Sequence, residues 1–213
     1  MDIQYFGANC VRISNKKATV VIDDNLKKYG KKPVAKKDDI VLYSSFQDDS
    51  PHTINGAVLM IDSPGEFEVS DVSIHGIPSQ AHMDKEGTKK ATIFKITLDD
   101  TRIVSLGHIY PDLSEEQLEA IGTIDILIVP VGGNGYTIDP IGAAKMVKKI
   151  DPKIIIPVHY ATKGFDYEVP QQSLEEALKV LSMEPAETTD KLKIKSASNL
   201  PEVKQLIVLE PQS

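Results

Sequence analysis

The sequence predicts an α/β protein in which an antiparallel region continues into a layered α/β region within one domain. Three observations point there: short strand-like segments crowd the first half, strands alternate with amphipathic helices in the second, and no Pro/Gly/Ser-rich linker divides the two. The chain has 213 residues, 41% of them hydrophobic and 26% charged, which is enough to bury a sizeable core without staples. The expected domain therefore spans 1–213.

Strands are read at 3–7, 9–14, 18–23, 39–44, 57–62, 65–69, 72–77, 91–98 and 102–107, separated by Asn, Asp, Gly, Ser and Pro clusters. Several alternate in polarity, which suits antiparallel sheets with one solvated face. A helix opens at Ser114, where Gln117 completes a capping box, and it carries Leu118 and Ile121. The apolar run 125–130 is a buried strand. Asp139 caps a second helix with Pro140 at its first position, and Ile141, Ala144 and Val147 are expected to face inward. Beyond the strand at 153–158, Ser173 and Glu176 box the start of a third helix, whose Leu174, Ala177, Leu178 and Leu181 form an apolar stripe. Strands at 191–196 and 205–210 complete the list. The glycine-rich 132–135 reads as a tight turn, with a backbone anion site as the other reading.

The formal net charge of −7 repels nucleic acid and anionic membranes at long range. One cluster runs the other way: Lys27, Lys28, Lys31, Lys32, Lys36 and Lys37 share a stretch without apolar periodicity. It reads first as a solvated loop and second as an anion-facing patch. No apolar run approaches the ~18 residues of a membrane span. The single Cys10 excludes an internal disulfide or a multi-cysteine metal site and fits a reducing compartment. With no secretory pattern at the N-terminus, the expected location is cytoplasmic.

Phosphate-cradling, dinucleotide-binding and serine-hydrolase motifs are all missing from the sequence. Five histidines remain: His52, His75, His82, His108 and His159. His108 directly follows the strand at 102–107 and His159 the strand at 153–158, so both leave a strand at its C-terminal end, where open α/β sheets place ligands. Asp49 lies just past the strand at 39–44. Two imidazoles and a carboxylate at one sheet edge match a zinc or iron site that keeps a position open for water. Asp48, Asp49 and His52 also form a local cluster in which a raised carboxylate pKa would furnish a general base; a solvated acidic loop is the plainer reading.

The order of an N-terminal hairpin ending in Ile22-Asp23, a strand leading to a polar motif, the GG-x-x-YTIDP turn, an amphipathic helix and then PKIIIPVHY resembles the metallo-β-lactamase fold superfamily. Within it the chain is most similar to the compact branch assigned as zinc-dependent hydrolases. The resemblance covers nearly the whole chain and is strongest from Asp125 to Tyr160; Ser63 to Val69 resembles a subgroup of bacterial members. It implies an αββα four-layer sandwich, two mixed β-sheets with helices on the outer faces.

It also implies where metals would sit. The family's His-x-His-x-Asp-His falls on Ser45 to Ser50, where Ser45, Gln47 and Ser50 stand for histidines and Asp49 matches. The next ligand histidine falls on Ser105, the bridging aspartate on His108, and the final histidine on His159. The first site therefore loses its imidazoles, and a dinuclear zinc centre is not expected. The second keeps Asp49 and His159, has His108 in place of the bridging aspartate and Ser50 in place of a histidine; Asp49, His108 and His159 are a chemically reasonable set for one divalent ion, Zn, Mn or Fe. His82 matches a histidine frequent near the pocket of the compact branch.

Two functions follow. One is a hydrolase with at most one metal ion, acting on an ester, lactone or phosphodiester, with Asp49 and His82 as catalytic groups and no β-lactamase activity. The other is a metal-free member that binds a small molecule or a protein partner. Nucleic-acid processing would need the lysine stretch beside the pocket, and the acidic total argues against it.

Overall fold

The computed structural model describes residues 1–45, 57, 59–85 and 87–212. Along the chain run β1 (Asp2–Gly7), β2 (Cys10–Ser14), β3 (Thr19–Ile22), β4 (Ile40–Leu42), β5 (Leu59–Ile61), β6 (Gly65–Val69), β7 (Val72–Ser79), β8 (Ala91–Leu98) and β9 (Thr101–Ser105). Then follow α1 (Glu115–Ile121), β10 (Ile126–Pro130), α2 (Pro140–Ile150), β11 (Ile154–Val158), α3 (Leu174–Leu181), β12 (Pro185–Thr189), β13 (Leu192–Lys193) and β14 (Gln205–Leu209). Every strand and helix read from the sequence is present.

The strands form two mixed sheets. One has six strands in the order β13-β1-β2-β3-β4-β5, the other eight in the order β12-β14-β11-β10-β9-β8-β7-β6. Their apolar faces share one core, to which β1 to β5 contribute Ile3, Tyr5, Val11, Ile13, Val20, Ile22, Ile40, Leu42 and Ile61. In β1 this follows from alternation, since Ile3 and Tyr5 turn inward while their neighbours are partly exposed. By contrast, β10 and β11 are buried at every position, as strands of a covered parallel sheet must be.

Three sequence expectations need correction. The first half is not purely antiparallel, because β3 pairs parallel with β4 and β4 with β5. Between β3 and β4 the long connection at 23–39 provides the crossover that parallel pairing requires. Second, β12 was not expected: Pro185 and Glu187 are poor strand residues, tolerated because β12, among the described residues, is an edge strand beside β14. Third, α2 is rotated relative to the expected stripe. Ile141 is 61% exposed, and Ala143, Met146, Val147 and Ile150 face the core. Gly142 accounts for the rotation. A Cβ there would lie 2.8 Å from the Pro111 ring, so this side of the helix sits close against Pro111.

The caps stand as expected. Ser114 Oγ accepts from the Gln117 N–H and the Gln117 side chain accepts from the Ser114 N–H; Ser173 and Glu176 repeat the exchange. Asp139 Oδ1 accepts from the Gly142 N–H at 2.6 Å. Ser114→Ala and Ser173→Ala should each lower stability by about 0.5–2 kcal/mol. Denaturant midpoints check this, and unchanged midpoints in both variants would contradict it.

Candidate metal site

Three histidines meet at one edge of the eight-stranded sheet. His159 leaves β11 with φ of +54°, a left-handed conformation that costs a non-glycine residue about 1–2 kcal/mol. The surroundings hold it there: its N–H donates to Ala8 O at 2.8 Å and reaches Tyr5 Oη at 3.1 Å. The chain passes so close that a Cβ on Gly132 would lie 2.1 Å from His159 O and 2.1 Å from Gln171 Oε1. The turn itself closes over 133–136, where the Tyr136 N–H donates to Gly133 O at 3.2 Å, and Gly132, just before it, leaves no room for a side chain. Gln171 Oε1 in turn lies 3.1 Å from His159 Nδ1, leaving Nε2 as the free ring nitrogen.

His108 follows β9 through Gly107, at φ +58°. Its backbone carbonyl accepts from the His82 N–H at 2.8 Å, and Ala81 bridges to Ile109, so a short strand-like pairing brings His82 to the same place. The His108 and His159 rings stand edge to face with centroids 4.8 Å apart. Tyr136 lies 5.2 Å from His108, and Tyr167 lies 5.3 Å from His159. A cavity of about 330 Å³ opens in front, bounded by Lys28, Tyr29, Ser45, His82 and His108.

Burial sets the protonation state. It pushes the His108 imidazole well below the usual histidine range, and the neighbouring His159, which would repel a second positive charge, adds to the effect. Burial likewise lowers His159 to about 4, and His82 moves down for the same reason. All three rings are therefore neutral near pH 7. His82 Nδ1, His108 Nδ1 and His159 Nε2 are buried without a hydrogen-bond partner. Buried polar atoms ordinarily find partners, and an unmade bond costs about 1–3 kcal/mol.

Neutral imidazoles with a free nitrogen are what a divalent ion needs. Two such rings bound to one tetrahedral ion at about 2.0 Å, with ring centres roughly 1.1 Å behind the nitrogen, have centroids about 5 Å apart. The 4.8 Å separation of His108 and His159 fits that arrangement. Among the described residues no group of three or more His, Cys, Asp or Glu side chains could hold an ion. Asp49, named as third ligand, lies outside the described residues, as do Asp48, Gln47, Ser50 and His52. Ser45 and Ser105 are buried, Ser45 lining the cavity. His75 takes no part; it pairs with Glu66 and Lys95 along the sheet and borders another cavity. Tyr167 and Gln171 were not singled out from the sequence, because they lie in a loop with no motif spacing; Lys28 was read only as part of the lysine stretch and Tyr136 only as part of the GG-x-x-YTIDP turn.

The chain matches the β-lactamase superfamily domain family over residues 2–159, and it belongs to that superfamily. It is 27% identical to a UPF0173 protein of Pyrococcus abyssi over 191 residues, 77% of this chain and 85% of that one. A UPF0173 metal-dependent hydrolase of Thermococcus onnurineus is 33% identical over 102 residues, 46% of this chain and 45% of the relative. Among solved structures, a metallo-β-lactamase superfamily protein of Thermotoga maritima, assigned to the Zn-dependent hydrolases, superposes with a TM-score of 0.74 at 26% identity, covering 99% of both chains. The fold is therefore the two-sheet metallo-β-lactamase architecture that the resemblance implied. Among the described residues no helix is long and apolar enough to cross a membrane.

Proposed function

We propose that this chain is a metal-dependent hydrolase that works with a single divalent ion, Zn, Mn or Fe, held by His108, His159 and Asp49. The observation that carries the reading is the buried pair His108–His159, neutral, in ring contact, and with Nδ1 and Nε2 left without partners. The names of the metal-dependent relatives support it. A bound ion would polarise the substrate and lower the pKa of its water. The protein's own groups would do the rest. Gln171 fixes the His159 ring through Nδ1. Asp49 orients the water. His82, neutral and bordering the cavity, accepts or returns a proton. An ester, lactone or phosphodiester is the substrate class, with Lys28 at the cavity wall to face a developing negative charge.

A metal-free binding domain is the second reading, favoured by the lack of a three-ligand group among the described residues. Turnover decides between them. Protein supplied with Zn, Mn or Fe should hydrolyse an aryl ester, a lactone or bis(4-nitrophenyl) phosphate, and His159→Ala should abolish the activity. Metal-independent rates equal to those of the variant on all three substrates would overturn the hydrolase. Nitrocefin turnover should be absent or trivial, since the resemblance puts Ser45, Gln47 and Ser105 of this chain at the histidine positions of the superfamily's first metal site. Metal-dependent nitrocefin hydrolysis at the rate of a working β-lactamase would contradict this.

A further inference from the structure

On the outer face of the six-stranded sheet, away from the shared core, lies a cavity of about 670 Å³ whose walls carry Arg12, Lys31, Lys32, Lys36 and Lys163. Among the described residues no acidic side chain lines it, and none of the five cations is in an ion pair. That concentration is anomalous in a chain with a net charge of −7. Surface lysines alone would mean little. Here they sit on a shaped loop: Asp24 Oδ2 accepts from the N–H groups of Val34 and Ala35 at 2.8 and 2.7 Å. Leu26, Val34 and Ala35 pack against Cys10 and Val21 of the sheet. Arg12 adds an independent sign. It projects from the outer face of β2, and its Nε is buried without a hydrogen-bond partner. A buried guanidinium N–H left unpaired beside a cavity is a donor awaiting an acceptor, and Arg is the side chain best suited to a phosphate fork.

The floor is apolar, made by Phe6, Leu26, Val34 and Phe165. Phe165 is pinned in place: its ring fills the space a Cβ on Gly7 would take, 2.0 Å away, and Lys31 Nζ lies 5.3 Å from its centroid. Tyr29 and Tyr167 pack against Phe165 at 5.5 and 5.8 Å, and both also line the histidine cavity. An aromatic wall thus separates the two cavities.

We propose that this cavity is a second binding site, independent of the hydrolase reading, for a small organic phosphate: the phosphoryl group on Arg12 and the lysines, the apolar part on Phe6 and Phe165. A volume of about 670 Å³ is ligand-sized. The lysine loop then serves recognition rather than solvation.

Equilibrium binding of ADP to the full chain in EDTA, with pyrophosphate and adenosine as separate probes, tests it. One equivalent of ADP should bind. Pyrophosphate should bind several-fold more weakly, because it lacks the apolar contact, and adenosine should not bind detectably. Affinity should fall about tenfold or more, roughly 1.4 kcal/mol per decade, in Arg12→Gln and in the triple variant Lys31→Gln/Lys32→Gln/Lys163→Gln. The triple variant alters only exposed positions, so it reports binding even if Arg12→Gln misfolds. Affinity should also weaken with added salt. No saturable ADP binding up to about 2 mM, or binding within twofold of wild type in the triple variant, overturns the proposal. So does tight binding of single-stranded RNA in place of ADP, which would assign the patch to nucleic acid.

Discussion

Removing both cations that hold Asp125 should destabilise the protein by about 3–5 kcal/mol, more than removing Asp125 itself. Asp125 stands just before β10 with only 3% of its side chain exposed, while its partners Arg102 and Lys153 are 39% and 43% exposed. Arg102 grips it with Nε at 3.0 Å and a terminal nitrogen at 3.2 Å, the Arg102 N–H adds a bond at 3.0 Å, and Lys153 Nζ sits at 3.1 Å. Burial alone would raise the carboxyl pKa, but the hydrogen bonds from Arg102 and Lys153 outweigh it and hold the group below the usual carboxylate range. In Arg102→Ala/Lys153→Ala a buried charge is left with one backbone donor. In Asp125→Ala the freed cations rehydrate where they stand, so about 2 kcal/mol is expected, one or two lost charge-assisted bonds. Because the folded pKa is depressed, this contribution is complete above the unfolded carboxylate pKa and is lost as pH falls through the folded one. Urea unfolding of the three proteins at pH 7 checks the ranking. If Asp125→Ala is the most damaged, the desolvation argument fails.

Gly107→Ala should cost about 3–5 kcal/mol and take the candidate metal site with it. Alanine at φ +58° is strained, and its Cβ would lie 2.2 Å from Ser44 Oγ and 2.3 Å from Ser44 Cβ. Ser44 cannot yield. Its N–H and Oγ both donate to the buried Asp23 carboxylate, each at 2.6 Å. The strain must therefore move Gly107 and the adjoining His108. Ser44→Gly placed in the same chain removes the clash but not the backbone strain, so the double variant should recover part of the lost stability. A double variant no more stable than Gly107→Ala would show that the contact with Ser44 is not the cause.

Asp23 gives the opposite pH signature. Burial raises its pKa to about 6, against the bonds from Ser44. Its contribution is then fully present below the unfolded pKa near 4 and declines as pH rises toward 6, by roughly 3 kcal/mol over the interval. Asp23→Asn should flatten stability across that window, and an unchanged slope would count against it.

The elements were legible because their signals are local. Ser114 with Gln117, Asp139 with Pro140, and Ser173 with Glu176 are cap chemistry written within four residues, and the apolar runs at 126–130 and 154–158 announce buried strands. The rotation of α2 was not legible, because Ile141 fits a helical stripe as well as Ala143 does, and only the approach of Gly142 to Pro111 decides. The site divided along the same line. His108, His159 and His82 were read from strand ends and resemblance and lie together in the fold, whereas Gln171 and Tyr167 reach the histidines through a loop whose path no spacing encodes, and Tyr136 was read only as part of a turn. Gly132 left a trace as glycine in a turn, but its close approach to His159 is visible only in three dimensions.

The proposed chemistry requires one ion at His108 and His159. Titrating Zn²⁺, Mn²⁺ and Fe²⁺ by calorimetry into metal-stripped wild type, His108→Ala and His159→Ala measures it directly. The predicted result is one equivalent bound to wild type more tightly than about 100 μM by at least one of the ions, and binding lost in both variants. Two equivalents in wild type, no binding tighter than about 100 μM, or affinity that survives either substitution would contradict it.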